Sequence, residues 1–158
     1  MAQLEAQLRE LAREAEAASV AAAQEARAGA TPNEKREDAR VAIEYTGLAR
    51  GQHGRAERAR RDLGALAEFR AASIPDGGRV ALGAVVEVED EDTGEGRSFF
   101  LAPVGAGMTI TGPGGDGYFT VVTPSSPVGR AVAGRRVGDV FDVTVRGEVR
   151  EWTVMWIA

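Results

Sequence analysis

Between Met1 and Ala28 the chain has neither proline nor glycine. That absence commits the N-terminus to a long helix, since the Ala, Leu, Glu, Gln and Arg that dominate it lose little freedom in that conformation. Leu4, Leu8, Leu11, Ala15, Ala18 and Ala22 recur at steps of four and three, the seam of a coiled coil. At about 1.5 Å per residue the helix is about 40 Å long. Leucine gives way to alanine along the seam, so a partner helix can approach more closely at the far end.

The segment Gly29-Ala30-Thr31-Pro32-Asn33-Glu34 breaks this run. Thr31 and Glu34 have capping-box spacing, and Pro32 suits a first helical position. A second helix is predicted from about Pro32 to Ala72, with the seam Val41, Tyr45, Leu48, Gln52, Arg55, Ala59, Leu63 and Leu66. Gly47, Gly51 and Gly54 each weaken its middle by about 1 kcal/mol relative to alanine. Two antiparallel helices joined by a tight turn make a projecting arm.

The 158 residues are enough for a medium domain or two small units, but aromatic content is 6%, too low to fill one large core. There is no cysteine, which removes disulfides and thiolate metal sites. No apolar run is long enough for a membrane span, and Glu5, Glu10, Glu14 and Glu16 do not fit a signal peptide, so the expected location is the cytoplasm. The net charge of −5 is uneven: residues 1–71 hold 12 acids and 12 bases, and residues 72–158 hold 12 acids and 7 bases. The second half is therefore a poor general nucleic-acid binder. His53 is the single histidine, so triads and histidine metal sites lack material and no catalytic residue is assigned.

Ile74-Pro75-Asp76-Gly77-Gly78 reads as a hinge. Strands are predicted at 80–82, 84–89, 98–102, 108–111 and 118–123, with Phe99 and Phe100 on opposite faces of theirs. The acidic run Glu89–Glu95 is a turn without the ligand spacing of a calcium loop. Gly112–Gly117 lacks the Lys-Ser/Thr and following helix of a phosphate loop. In the stretch Ser126–Asp139, Ser126 caps a short helix begun by Pro127, Val128, Ala131 and Val132 form its apolar side, and Gly134 ends it. A hairpin follows, 140–145 and 149–157 joined around Arg146-Gly147. Phe141, Val143 and Val145 share one face, and the second strand is central.

The string SPVGRAVAGRRVGD over 126–139 closely resembles the signature of the Gre transcript-cleavage factors. Glu44-Tyr45, Gln52, Arg58 and Leu66 fall at the mutual spacings of that family's second helix. The resemblance implies an α+β protein: an N-terminal antiparallel coiled-coil hairpin (1–73), a hinge (74–78) and an FKBP-like antiparallel sheet domain with one short helix (79–158). It implies bacterial RNA polymerase as partner, with the arm entering the secondary channel and Ser126, Pro127, Val128, Gly129 and Arg130 near the surface that binds the channel rim. RNA or DNA is met only within the elongation or initiation complex; the chain is expected as a monomer that is not itself an enzyme.

That family's cleavage activity depends on two tip carboxylates that help hold a second magnesium ion. Aligned without a gap from Glu44-Tyr45 and Gln52, Asp38 takes the first acidic position and Val41 the second. Aligned on the turn, Ala30 and Asn33 take them. Neither register keeps the pair. The tip acids present are Glu34, Glu37 and Asp38; Glu34 and Asp38 are four apart and share one helix face, yet acids in a first turn beside Arg36 and Arg40 are also ordinary capping and ion-pair residues. The expectation is a regulator that inhibits or pauses elongation with little cleavage and no cofactor, any magnesium at the tip being held only inside the polymerase active site. The alternatives are an active cleavage factor using Glu34 and Asp38, and a coiled-coil dimerisation module. Arg50, Arg55, Arg58, Arg60 and Arg61 form the densest basic cluster, read as a solvated face pairing with Glu10, Glu14 and Glu16.

Overall fold

A computed structural model describes residues 1–28, 36–71, 73–112, 115 and 117–158, with only the backbone described at 36–39. The chain divides into two compact units, Met1–Gly64 and Ala65–Ala158.

The first unit is built on α1 (Ala2–Ala28) and α2 (Arg36–Glu68). The hydroxyl of Ser19 donates to the Ala49 carbonyl at 3.1 Å, and Arg60 pairs with Glu16, which fixes the two helices as antiparallel. The second helix stops at Glu68, short of the expected Ala72, which itself lies outside the described residues.

The seam differs from expectation in register. Leu4, Leu8, Ala12, Ala15 and Ala22 are buried, whereas Leu11 is 42% exposed and Ala18 is exposed. On α2 the sheltered positions Ala42, Tyr45, Ala49, Gln52, Ala56, Ala59, Leu63 and Leu66 recur at alternating steps of three and four, with Gly54 and Asp62 half-buried beside them. Val41, Leu48 and Arg55 are exposed instead. Each error is a shift by one residue. At each of these steps an alanine or Ser19 takes the contact position, which lets the backbones approach there, and Leu11, Leu48 and Arg55 lie one position off the seam. Leu11 instead lies on the flank beside Ala59 and Asp62.

The second unit is a six-stranded sheet with strands β1 (Val85–Asp90), β2 (Gly96–Leu101), β3 (Thr109–Thr111), β4 (Tyr118–Val122), β5 (Val140–Val145) and β6 (Glu148–Ile157). Their order is β3-β4-β2-β1-β6-β5. Four pairings are antiparallel as expected, but β2 and β4 run parallel, Phe100 opposite Val121. The chain leaves β2, forms the edge strand β3 and doubles back, so β4 re-enters the sheet in the direction of β2. Residues 80–82 form no strand. Val80 makes one reciprocal link to the loop after the short helix (its N–H to Arg135 O and its carbonyl from Gly134 N, both 2.8 Å), and a turn with Gly83 at φ +99° follows.

The helix α3 (Pro127–Val132) crosses one face between β4 and β5. Beneath it lies the core: Val86, Val88, Phe99, Leu101, Phe141, Val143, Trp152 and Val154, closed by Val132. Trp152 is its largest member, stacked on Phe99 at 5.6 Å and edge-on to Phe141 at 6.3 Å. Phe100 is also buried but lies outside this cluster, in keeping with the expected alternation. Strand β6 pairs on both sides, as its two-sided apolar pattern predicted. Ile74 packs against this core, which anchors the first residue of the expected 74–78 hinge within the sheet unit.

Candidate functional site

The 126–130 corner is organised by one hydroxyl. Ser126 Oγ accepts from Gly129 N at 3.1 Å and Thr123 N at 3.2 Å, and donates to Thr123 O at 2.8 Å. The first of these caps α3; the other two clamp the end of β4 to the helix start, so one side chain satisfies backbone groups on both elements. Gly129 is required by that closeness. A Cβ there would meet Thr123 O at 1.9 Å, far inside any van der Waals contact. Downstream, Gly134 has φ +78° and ends α3 as its position predicted.

The five residues assigned to the rim-binding surface thus divide by role. Ser126 and Gly129 build the corner, and Val128 packs on the core. Pro127 and Arg130 are exposed, together with Pro124 and Ser125. The Arg130 guanidinium donates to Ser125 O at 2.7 Å, which holds it over the loop. Pro127 and Val128 also border a groove of about 260 Å³ that runs between the start of α3, β4 and the end of β5. Its lining is mainly apolar: Phe99, Val121, Val122, Val145. The motif pointed to the corner but not to this groove, whose far wall comes from residues about 20 positions downstream.

At the far end of that wall, β5 turns into β6 through Arg146 and Gly147, with φ +54° and +88°. Val145 pairs with Glu148, so the loop has two residues and the primed turn that matches strand twist. The Arg146-Gly147 dipeptide was legible as a hairpin; that it closes a groove was not.

Of the tip acids, Glu34 lies outside the described residues, and Glu37 and Asp38 are described only as backbone of α2. Val41 is 44% exposed. No group of three or more His, Cys, Asp or Glu able to hold a metal occurs among the described residues. His53 is exposed on α2. Among the described residues, Arg60 is the one member of the arginine cluster that is paired, to Glu16 on α1 and to Glu57 at 2.7 Å. Those carboxylates, through hydrogen bonds first, raise its pKa above the ordinary arginine value. Glu10 pairs within its own helix with Arg13, so the expected pairing of Glu10, Glu14 and Glu16 with the cluster reduces to Glu16. No helix among the described residues is long and apolar enough to cross a membrane.

No curated protein matches the chain. Among solved structures, Gfh1, the GreA factor homolog 1 of Thermus thermophilus, is similar at 21% identity, covering 98% of this chain and 94% of that one with a TM-score of 0.42. Gfh1 of Thermus aquaticus is similar at 23% identity, covering 98% and 91% with a TM-score of 0.40. A GreA/GreB transcription elongation factor of Nitrosomonas europaea shows 18% identity, 65% and 78% coverage and a TM-score of 0.39. The family model for the C-terminal domain of the transcription elongation factors GreA and GreB matches residues 75–158. That span contains the whole sheet and the Ser126 corner and exceeds half of the sequence; the chain belongs to the GreA/GreB family of transcription elongation factors.

Proposed function

We propose that this chain is a regulator of bacterial RNA polymerase that docks its sheet domain at the rim of the secondary channel, inserts its helical arm and slows elongation with little transcript cleavage. The observation that carries this reading is the family match over 75–158 together with an antiparallel helical hairpin ahead of it. Arm insertion needs only shape and surface contacts. Cleavage needs more: a second metal ion must be placed within a few tenths of an ångström, so a lost ligand is not replaced by an acid on another face. Val41 cannot ligate, and Ala30 and Asn33 supply no carboxylate in the other register. The chain acts on the polymerase's own chemistry and carries no catalytic centre or cofactor of its own.

The test is a backtracked elongation complex with magnesium, followed for RNA cleavage and nucleotide addition with and without the protein. Slowed addition without added cleavage is expected. Strong cleavage that disappears in Glu34→Ala or Asp38→Ala would replace this reading with that of an active cleavage factor.

A further inference from the structure

On the face of the sheet that carries the core, two concavities meet at Arg97. The first, of about 340 Å³, has Arg97, Arg146 and Arg150 in its lining, with Glu148 and Trp152. The second, of about 590 Å³, has Arg97, Phe99, Tyr118 and Thr120 in its lining. Arg97 and Tyr118 each stand two residues before the paired Phe99 and Thr120 of β2 and β4, so their side chains share that face. Concavities of this size suit small organic ligands.

The three guanidiniums differ in how firmly they are held. Arg150 pairs with Asp90 at 3.5 Å and with Glu148 at 2.8 Å, and Arg97 pairs with Glu95 at 3.1 Å while lying 5.7 Å over the Trp152 ring. Asp90 is buried and already accepts from Trp152, Asp92 and Thr93, so it positions Arg150 and stays in place. Glu95 and Glu148 are largely exposed. Exposed pairs of this kind contribute little in water, and a more highly charged anion displaces them. Arg146 makes no hydrogen bond or ion pair with any described residue. It is also the one non-glycine residue of positive φ among the described residues, at +54°, in a turn that favours Asn, Asp or Gly. Backbone strain held without an internal contact in return points to use in recognition.

We propose that the two concavities form one binding site for a nucleoside polyphosphate, with its phosphates at Arg97, Arg146 and Arg150 and its base against Tyr118. Guanidinium forks match phosphate oxygens in pairs, and three of them suit a short run of phosphates better than a single carboxylate. Tyr118 is 74% exposed on an edge of the second concavity and offers a base an open aromatic ring. Thr120, on the same face, offers a hydroxyl to the sugar. A nucleic-acid strand fits less well, because the turn leading into β2 carries Glu91, Asp92 and Glu95, which repel a backbone that continues past the arginines.

Isothermal titration of the full chain with GTP, ATP, tripolyphosphate and a short single-stranded RNA tests this. No polymerase is present, so the outcome is independent of the function proposed above. Both nucleoside triphosphates should bind saturably with Kd below about 1 mM. Arg146→Asn suits the turn and should keep or raise Tm while raising Kd about tenfold. Tyr118→Ala should raise Kd for both nucleotides about fivefold or more and leave tripolyphosphate within about twofold. Absence of saturable nucleotide binding by the folded chain would overturn the site, as would nucleotide binding that folded Arg146→Asn leaves unchanged. Tripolyphosphate bound as tightly as GTP, with Tyr118→Ala affecting neither, would overturn the nucleoside half of the assignment. RNA bound more tightly than GTP and released by Arg146→Asn would assign the arginines to nucleic acid and overturn the small ligand.

Discussion

The indole N–H of Trp152 donates to Oδ2 of Asp90 at 3.1 Å, joining the middle of β6 to the end of β1 inside the sheet domain. The other carboxylate oxygen accepts from Asp92 N at 3.1 Å and Thr93 N at 3.0 Å. One buried acid thus fixes the acidic turn, the sheet register and the orientation of the largest core side chain. This explains why Asp90, the second acid of the Glu89–Glu95 run, serves the fold and not a cation.

The pH dependence of stability follows from that carboxylate. Burial pushes the Asp90 carboxyl up, but hydrogen bonds from Trp152, Thr93 and Asp92 outweigh it and hold its pKa below the ordinary value. Its folded-state pKa is therefore below its unfolded one, so its contribution is fully present above about pH 4 and is lost as pH falls through the depressed value. Urea unfolding of the original chain and Asp90→Asn should differ at pH 7, with the gap closing below about pH 3.5. A gap independent of pH would mean that the amide loses only packing.

Gly129→Ala should be among the most damaging single-methyl additions in the sheet domain. The added carbon would sit 1.9 Å from Thr123 O, backbone that cannot move without releasing the Ser126 clamp. A loss above about 3 kcal/mol is expected, read as a fall in Tm. Ser126→Ala should cost about 1 kcal/mol for the lost cap, so a polymerase-binding defect in it counts only after folding is verified. Pro127 and Arg130 are the cleaner probes of the surface.

The arm should respond in the opposite sense to added methyls. A Cβ at Gly47 or Gly51 meets nothing within 4 Å. Gly47→Ala and Gly51→Ala should each stabilise the arm by about 0.5–1 kcal/mol, seen as slower amide hydrogen exchange across 40–60. No change in exchange would show that the middle of α2 is not the weak part.

Two leucines three residues apart test the seam register. Leu8 is 1% exposed and Leu11 is 42% exposed. Leu8→Ala should cost about 2–4 kcal/mol, and Leu11→Ala less than about 1 kcal/mol. Equal losses in thermal unfolding would restore Leu11 to the seam.

Local chemistry determined much of this protein from sequence alone. A proline- and glycine-free run dictates α1; Ser126-Pro127 and Gly134 start and stop α3; Arg146-Gly147 turns β5 into β6. Each is settled by the conformational preferences of a few adjacent residues. The SPVGRAVAGRRVGD string carried the family for the same reason, since its corner is built from contiguous residues. Tertiary structure decided the rest. Whether Leu11 or Ala12 faces the partner helix depends on how closely two backbones pack, which no single helix records. The parallel pairing of β2 with β4 depends on where a returning chain finds free hydrogen-bonding groups. The groove between Val128 and Arg146 exists because a helix corner and a hairpin turn, distant in sequence, close over Phe99 from opposite sides.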